Sequence, residues 1–366
     1  MRGATDKHKV LFYSFNLEDK IPADHPLRKL KALADAELKR MGPLFVEAYS
    51  GIGRPSTPPE QLLKASILQA LYSIPSERQL CEHIGYNLLY QWFLDLAPDQ
   101  AVWEHSTFTK NRARFAEHGL MRRFFEGSVA KALCAVATDT EHFSVDGTLI
   151  QSWASMKSVK RKDDDTPYDG TGFAAFKGEK RSNQTHESKT DPEARLYKKG
   201  AGKETLLCHS LHVLTDNRKG LLMELEVEEA SGTAERTTAK KLLRRFRKRH
   251  QIKPKSVAAD KGYDDGAFLK ELEDDGVMPQ VAIRDGKIVS DTTAADARRR
   301  ARLRRKTCDY RAAQKARRLT EKVFGWFKSV GGLRRTRYRE RWKTGQAAYA
   351  VGAAYNFLRL AGLGVV

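Results

Sequence analysis

The sequence predicts an α/β fold, a mixed sheet with flanking helices, preceded by an all-α region. From about residue 141, short apolar and β-branched runs alternate with helical segments, which is typical of an α/β domain. Between residues 18 and 130, prolines separate short amphipathic segments and no strand pattern occurs. The chain has 366 residues, enough for two or three hydrophobic cores. We therefore expect an all-α region over residues 1–135 and an α/β domain over residues 136–366.

Positive charge is concentrated towards the end of the chain. The net charge is +20, and residues 298–343 hold 19 Lys and Arg against Asp309, Glu321 and Glu340. Such an excess predicts a polyanionic partner, either nucleic acid or an anionic membrane. The four cysteines are far apart and form no CxxC motif. We therefore expect neither a zinc ribbon nor a disulfide framework, and a reducing cytosol as the compartment.

No segment predicts a membrane span or a signal peptide. The N-terminal MRGATDKHKVLF is too polar for a signal peptide. The apolar tail AAYAVGAAYNFLRLAGLGVV is interrupted by Asn356 and Arg359, so it is predicted to be a packed amphipathic helix.

The all-α region contains one pair of segments with recognisable signals. Ser76 and Gln79 form a capping box that opens SERQLCEHI, Gly85 supplies a turn, and the apolar-striped NLLYQWFLDL follows. The pair resembles a helix-turn-helix, but a plain helical hairpin explains the same signals equally well.

The α/β domain begins with three predicted strands, HFSVDGTLIQSW, TLLCHSLHVLTD and GLLMELEVEEA. A polar segment at 155–203 separates the first two and is predicted to be a mobile loop or a DNA-facing insertion. A helix over 233–250, a strand in KSVAADKGYDD, a helix over 265–275 capped by Asp264 and a strand in MPQVAI follow. The predicted order is β-β-β-α-β-α-β and then helices.

Two aspartates lie where a carboxylate suggests a function. Asp146 is inside the strand FSVDGTLIQ, where burial of an unpaired charge is costly. Asp260 follows the apolar run SVAA, at the carboxyl end of a strand, where ligand-binding residues of α/β sheets usually lie. The structural alternatives are a solvated or salt-bridged Asp146 and a turn at Asp260 before Lys-Gly.

The segment from Asp309 to Val330 is predicted to be one amphipathic helix. At ~100° per residue, its polar residues fall within about 60° of one another and its apolar residues fall on the opposite side. The polar residues are Gln314, Arg317, Glu321 and Lys328, and the apolar ones are Ala316, Leu319, Val323, Phe327 and Val330. An exposed Arg317–Glu321 pair is the structural alternative. A lone acid among so many bases, opposite a face too apolar for solvent, favours a functional site.

Together, the carboxylates of Asp146, Asp260 and Glu321 are suited to metal-dependent cleavage of a phosphodiester. Three carboxylates from two strands and a later helix can hold two divalent cations about 4 Å apart, which activate water or a 3′-hydroxyl for in-line attack. Their hard oxygen ligands select Mg²⁺ or Mn²⁺. The surrounding Lys and Arg would neutralise backbone phosphates.

These residues and their order resemble the DDE transposases of bacterial insertion sequences. SVDGT surrounds Asp146, AADKGYD surrounds Asp260, and Arg317, Glu321 and Lys328 match RxxxExxxxxxK. The likeness extends to LEDKIPADHPLR, GRPSTPPEQLLKASILQALYSIPSERQL, DPEARLYKKG and SGTAER, and therefore covers nearly the whole chain.

The resemblance implies a ribonuclease H-like fold, with the first Asp on the first strand, the second at the end of the fourth and the Glu on a later helix. It implies that Asp146, Asp260 and Glu321 are catalytic, metal-ligating residues for two Mg²⁺ or Mn²⁺ ions per active site. The implied reaction is hydrolysis that frees the 3′-hydroxyls of the element ends, followed by their transfer to target DNA.

The implied partner is double-stranded DNA, both the terminal inverted repeats and the target, in the bacterial cytosol and not at a membrane. Arg317 and Lys328 are expected to clamp phosphates, with Gln314, Arg318 and Lys322 beside them on the DNA. The all-α region is expected to recognise the element ends, and assembly on paired ends implies at least a dimer.

One residue departs from the family signature YxxRxxxExxxxxxK, because Gln314 occupies the Tyr position. A role of that aromatic in holding a displaced DNA end therefore does not transfer to this chain. The sequence offers no physical account of the SGTAER segment.

Other interpretations remain. A ribonuclease H-like nuclease that cuts without joining would share every proposed metal ligand. A regulator derived from a transposase would keep the basic surface, although the intact acids Asp146, Asp260 and Glu321 disfavour it. A membrane-surface protein is disfavoured because the basic residues do not form one amphipathic anchor.

Overall fold

The first part of the chain is helical. The computed structural model describes residue 14 and residues 16–135, 141–163, 181–200, 202–285 and 292–365. Its first helices are α1 (Leu17–Lys20), α2 (Pro26–Arg40), α3 (Gly42–Ala48), α4 (Pro59–Leu71), α5 (Glu77–Tyr86), α6 (Leu88–Phe93), α7 (Ser106–Glu117) and α8 (Leu120–Ala135). The predicted all-α region is therefore confirmed over its described residues.

Strands and further helices follow α8. The strands are β1 (His142–Gln151), β2 (Val159–Arg161), β3 (His186–Ser188), β4 (Arg195–Tyr197), β5 (Leu206–Asp216), β6 (Leu222–Glu229), β7 (Ser256–Ala259) and β8 (Met278–Val281). The helices are α9 (Ala234–His250), α10 (Gly266–Asp274), α11 (Thr293–Arg304), α12 (Cys308–Ala316), α13 (Arg318–Ser329) and α14 (Arg341–Gly362). The order β1, β5, β6, α9, β7, α10, β8 is the order that the sequence predicts for the main elements.

The main sheet is mixed. β5 pairs antiparallel with β1, β6 and β4, whereas β1–β7 and β7–β8 are parallel. Both parallel pairs require a crossover, and α9 and α10 lie in those connections. This architecture confirms the expected ribonuclease H-like fold class.

The predicted hairpin in the all-α region has no free face on its second helix. Ser76 caps α5 by accepting a hydrogen bond from the Gln79 amide, as predicted. Four consecutive residues of α6 are buried, which leaves no side of this short helix for a DNA groove. They are Tyr90, Gln91, Trp92 and Phe93. The structure therefore supports the plain helical hairpin.

The polar segment at 155–203 is more ordered than predicted, since it contains β2, β3 and β4; its residues 164–180 and 201 lie outside the described part. The fully buried Asp191 connects this segment to its surroundings. Its carboxylate accepts a hydrogen bond from Ser152 Oγ at 2.7 Å, lies 3.1 Å from His209 Nε2, and accepts one from the Glu340 amide at 3.2 Å. Each of these strands is only three residues long, too short to show the alternation that predicts a strand from the sequence.

Two helix predictions need correction. Asp265 caps α10 by accepting a hydrogen bond from the Phe268 amide, while the predicted cap, Asp264, is buried and paired with Arg298 at 2.7 Å. The single helix predicted over residues 309–330 is two helices, α12 and α13, that meet at Arg317. The Thr320 amide bonds to the Arg317 carbonyl three residues back, and this tighter turn separates the two helices.

The C-terminal helix α14 joins the helical region to the sheet. It packs against α8, α4 and α2 on one side and β6 on the other, and most of its residues from Ala348 onwards are buried. The buried Asn356 side chain accepts a hydrogen bond from the Leu222 amide at 2.9 Å and donates one to the Leu222 carbonyl at 2.8 Å. The tail is thus a packed helix, as predicted, and no helix among the described residues has the length and apolarity to cross a membrane.

We predict that Asn356→Ala lowers the free energy of unfolding by about 2–4 kcal/mol, because two buried backbone groups of Leu222 lose their partner. Urea unfolding followed by circular dichroism measures this loss. Leu358→Ala, at an exposed position of the same helix, is the control and should cost well under about 1 kcal/mol. Equal losses for the two variants would contradict the role assigned to Asn356.

Candidate active site

The register of two parallel strands brings the two predicted aspartates together. Ser144 on β1 is opposite Ala258 on β7. Asp146 and Asp260 each lie two residues further along their strand, so both are at the same end of the pair. The sequence prediction that Asp260 follows a strand is confirmed, and it is here that the two carboxylates meet.

Asp146 is a largely buried carboxylate, with 13% of its side chain exposed. Its Oδ1 accepts a hydrogen bond from the Gly147 amide at 2.8 Å, and its Oδ2 accepts one from Arg317 Nη1 at 3.2 Å. Burial raises the pKa of Asp146 to about 6, and the negative charge of Asp260 contributes to the increase. The Gly147 hydrogen bond and the positive charges of Arg317 and Lys199 oppose it.

Asp260 lies in a turn that directs its side chain towards the same region. Its Oδ1 accepts a hydrogen bond from the Gly262 amide at 2.8 Å, which caps the 3₁₀ turn Lys261–Tyr263. The side chain of Tyr263, in the same turn, is fully buried. Burial and the negative charge of Asp146 hold the pKa of the Tyr263 phenol well above its ordinary value.

Arg317 lies at the junction of α12 and α13 and connects Asp146 with Glu321. Its Nη2 is 3.8 Å from Glu321 Oε1, while its Nη1 is bonded to Asp146. The junction is positioned by Thr320, which is buried and hydrogen-bonded to Thr215 Oγ1 of β5 at 2.6 Å. The structure therefore brings Arg317 to the first aspartate and places Glu321 beside it, with 60% of the Glu321 side chain exposed.

Gln314 is bonded to protein backbone. Its Nε2 donates to the carbonyl of Ala259 at 3.2 Å and to the carbonyl of Gln280 at 2.6 Å. These carbonyls lie near the carboxyl ends of β7 and β8, so Gln314 fixes α12 to the strand that leads into Asp260. A contact between Gln314 and DNA stays a prediction.

A group of cations lies next to the carboxylates. Burial lowers the pKa of Lys328, and the neighbouring positive charges of Lys199 and Arg334 lower it further. Within the described ranges, neither Lys328 nor Arg334 pairs with an acidic side chain. Mutually repelling, unneutralised cations are typical of an anion site. The other two predicted DNA contacts, Arg318 and Lys322, are exposed on α13.

Sequence reasoning missed two residues near the aspartates, Lys199 and Glu235. Lys199 Nζ donates to the Gly147 carbonyl at 3.2 Å. Glu235, in the first turn of α9, is half-buried; burial raises the pKa of its carboxyl, and the charges of Asp260 and Asp146 add to the effect. Both residues lie in segments noted in the sequence, DPEARLYKKG and SGTAER, and this location was the only local signal.

The donor chemistry of this region fits a hard divalent cation. Asp146, Asp260 and Glu321 offer carboxylate oxygens. Burial and the repulsion from Asp260, which together raise the pKa of Asp146, both disfavour its charged form, and a bound cation would offset them. As the side chains stand, no three His, Cys, Asp or Glu groups among the described residues converge on one point. Arg317 fills the space between Asp146 and Glu321, which accounts for this separation.

Two family models match the chain. The model described as "Transposase DDE domain" matches residues 160–357, more than half of the chain, and the model described as "Transposase domain (DUF772)" matches residues 15–114. No curated protein matches.

Solved structures that match this chain include three of the Mos1 transposase. The paired-end complex with the left transposon end has 11% identity and a TM-score of 0.20, and the match covers 80% of this chain and 83% of that one. The pre-cleavage transpososome has 10% identity, a TM-score of 0.20 and coverages of 86% and 82%. The mariner paired-end complex with Mn has 12% identity, a TM-score of 0.20 and coverages of 84% and 88%.

We predict a pH-dependent loss of stability that originates in His212 of β5. Burial lowers the pKa of this ring to about 4, with Lys199 adding to the effect and Glu228 opposing it. Because the folded-state pKa lies below the ordinary 6.5, the stabilisation is complete above pH 6.5 and is lost as the pH falls towards 4, by about 3 kcal/mol at pH 4. His212→Gln should remove this part of the decline in urea-unfolding free energy between pH 7 and pH 4. An unchanged decline in the variant would refute the assignment.

Proposed function

We propose, on the premise that this chain belongs to the DDE transposases, that it cuts DNA at the ends of a mobile element and joins the freed 3′-hydroxyls to target DNA. Asp146, Asp260 and Glu321 are the proposed metal-ligating, catalytic residues. The observation that supports this most strongly is that two partly buried aspartates, Asp146 and Asp260, lie at the same end of the parallel strands β1 and β7. Arg317 is hydrogen-bonded to Asp146 and forms an ion pair with Glu321.

The family's reaction uses a divalent metal, and we propose two Mg²⁺ or Mn²⁺ ions per active site. When bound, such ions activate an attacking water or 3′-hydroxyl and stabilise the leaving oxygen. The chain's own contribution is to hold the acids on rigid elements. Hydrogen bonds from the Gly147 and Gly262 amides orient Asp146 and Asp260, and the Thr320–Thr215 bond anchors the helix that carries Glu321.

Arg317 favours the ionised form of Asp146 and orients its carboxylate in the free protein. Its guanidinium donates to Asp146 and lies near Glu321, so it neutralises part of the charge that the two acids share. The same planar donor group is suited to a phosphate once the carboxylates are neutralised by cations. We therefore propose that Arg317 exchanges a carboxylate for a DNA phosphate when the active site is assembled.

DNA is the proposed partner of the basic surface around the acids. Lys328, Arg318 and Lys322 are proposed to contact phosphates, and Gln314 to lie at the edge of that surface. We propose that residues 1–135 recognise the element ends and that residues 136–366 form the catalytic domain. α14 packs on both parts, which supports a fixed placement of the end-binding region relative to the acids. Paired ends imply a dimer or a larger assembly on DNA.

We predict that Asp146→Asn, Asp260→Asn and Glu321→Gln each lower cleavage and joining by about a thousandfold or more, because each removes a metal ligand. The substrate is a labelled duplex carrying the DNA that flanks this gene, incubated with the purified protein and Mg²⁺. EDTA should abolish both products. DNA binding, measured by fluorescence anisotropy, should remain within about threefold of wild type, since carboxylate side chains do not bind the DNA phosphates.

Asp274→Asn, which changes an exposed carboxylate on α10, is the matched control and should react like wild type. Cleavage without joined products by the wild type would favour a nuclease. Binding without cleavage, on a duplex that carries the true ends, would favour a regulator.

We predict that Lys328→Ala weakens DNA binding and lowers the slope of log K against log salt by about 1, because one phosphate contact is lost. Arg300→Ala removes the same charge from a side chain that is paired with Glu273 at 2.6 Å, and its slope should stay unchanged. Anisotropy titrations from 50 to 200 mM salt compare the two. Equal slopes for the two variants would show that only net charge matters and that Lys328 makes no specific contact.

A further inference from the structure

A cavity lies between the all-α region and the segment that follows α13. Its walls come from α4, α5, α7 and α8 on one side and from α14 and residues 331–338 on the other. Its volume is about 70 Å³. At roughly 10–15 Å³ for each water-sized unit, this space holds about five to seven such units, which is the size of a small organic molecule. None of the proposed metal ligands or DNA contacts lines it.

The walls of the cavity are largely apolar. They include buried side chains from three helices, namely Leu62 and Ala70 of α4, Phe108 and Phe115 of α7, and Val351 of α14. The apolar part of a ligand would therefore be removed from water at these walls. An apolar lining with a few polar groups, at the junction of two parts of a chain, is typical of a small-molecule site.

Most charged groups of the cavity are paired within the protein. Among the described residues, Glu77 is the only acidic one that lines it. Glu77 forms an ion pair with Arg112 and accepts a hydrogen bond from Tyr338 Oη at 3.0 Å. Lys343 Nζ is paired with Glu340 at 3.0 Å. These pairs neutralise the acid and two of the three bases of the cavity.

Arg337 is the third base, and it has no direct counter-charge. It is half-buried, and within the described ranges no hydrogen bond or ion pair joins its guanidinium to an acceptor. Burial lowers the pKa of Arg337, while the charges of Tyr338 and Glu77 oppose that shift. A partly desolvated guanidinium without a direct partner is costly, and an anion in the cavity would offset the cost.

A second donor without an acceptor borders the same cavity. The Nε2 atom of Gln69, in α4, is buried and has no hydrogen-bond partner in the described part of the chain. A Cβ built on Gly332 would be 2.9 Å from Arg337 Nη2, so the glycine leaves space beside the guanidinium. Two unpaired donors require an acceptor group with more than one oxygen, which a carboxylate provides.

We propose that this cavity binds a small carboxylate with a short apolar chain. The carboxylate accepts hydrogen bonds from Arg337 and Gln69, and the chain packs against the apolar walls. One uncompensated cation matches one negative charge, which favours a carboxylate over a phosphate dianion. Because the walls come from the all-α region and from the residues after α13, the bound anion links these two parts of the protein.

The test is binding of butyrate to the full-length protein without DNA, measured by calorimetry at constant ionic strength. Butyramide has nearly the same shape and no charge, so it should bind at least about tenfold more weakly. Arg337→Met keeps an unbranched side chain and removes the charge, and it should weaken butyrate binding by about tenfold or more. Arg339→Met, at an exposed position two residues further on, is the matched control and should bind butyrate like wild type.

Two further comparisons test the apolar walls. Formate lacks the apolar chain, so it should bind at least about tenfold more weakly than butyrate. Ala350→Leu enlarges a buried side chain of the cavity wall and keeps Arg337, so it should weaken the binding of butyrate and butyramide alike. Equal affinities for formate and butyrate would refute the proposed ligand class.

Thermal unfolding separates a ligand role of Arg337 from a structural one. Without butyrate, Arg337→Met should melt no lower than wild type, because an unpaired, half-buried charge is removed. Added butyrate should raise the melting temperature of wild type more than that of the variant. A lower melting temperature without butyrate, together with an unchanged gain, would identify a structural role and overturn the proposal.

Two other outcomes would also overturn it. Equal butyrate affinity of wild type and Arg337→Met would show that the guanidinium does not bind the carboxylate. Displacement of butyrate by a short DNA duplex would show that the cavity belongs to the DNA-binding surface. Both measurements are made without a divalent metal, so their results do not depend on the proposed metal site.

Discussion

The parallel pairing of β1 with β7 is the constraint on which the active site depends. Its register puts Asp146 and Asp260 at the same end of adjacent strands, about one strand spacing apart, and partly removes both from water. Burial and mutual repulsion then disfavour the charged form of Asp146, which the raised pKa reflects. The neighbouring groups offset this cost. The amides of Gly147 and Gly262 donate hydrogen bonds to the two carboxylates, and the Arg317 guanidinium and the Lys199 ammonium supply positive charge.

Two hydrogen-bonded anchors bring the helical part of the site to this strand pair. Gln314 bonds α12 to backbone near the ends of β7 and β8, and Thr320 bonds α13 to β5. Arg317 lies between the anchors, so its position follows from packing on the sheet. This explains why the polar face predicted for one continuous helix is shared by two helices, with the arginine at their junction.

The excess positive charge has two uses. Arginines of α11 pair with acids of neighbouring segments, as Arg298 does with Asp264 and Arg300 with Glu273, and so hold α11 on α10. Lys328 and Arg334 have no described acidic partner and remain available for an anion. The net charge therefore overstates the area of surface available to nucleic acid, because part of the positive charge stabilises the fold.

The sequence by itself determined the order of the main elements, the positions of Asp146 in a strand and of Asp260 after one, the apolar face that buries Val323 and Phe327, and the packed C-terminal helix. These follow from residue periodicity and chain punctuation, which are local properties. Only the tertiary structure decided that Asp264 pairs with Arg298, that Gln314 bonds backbone and that Glu235 lies near the Asp260 carboxylate. Those facts depend on how α9, α11 and α12 pack on the sheet. Such contacts join residues far apart in the chain, and no spacing within one segment encodes them.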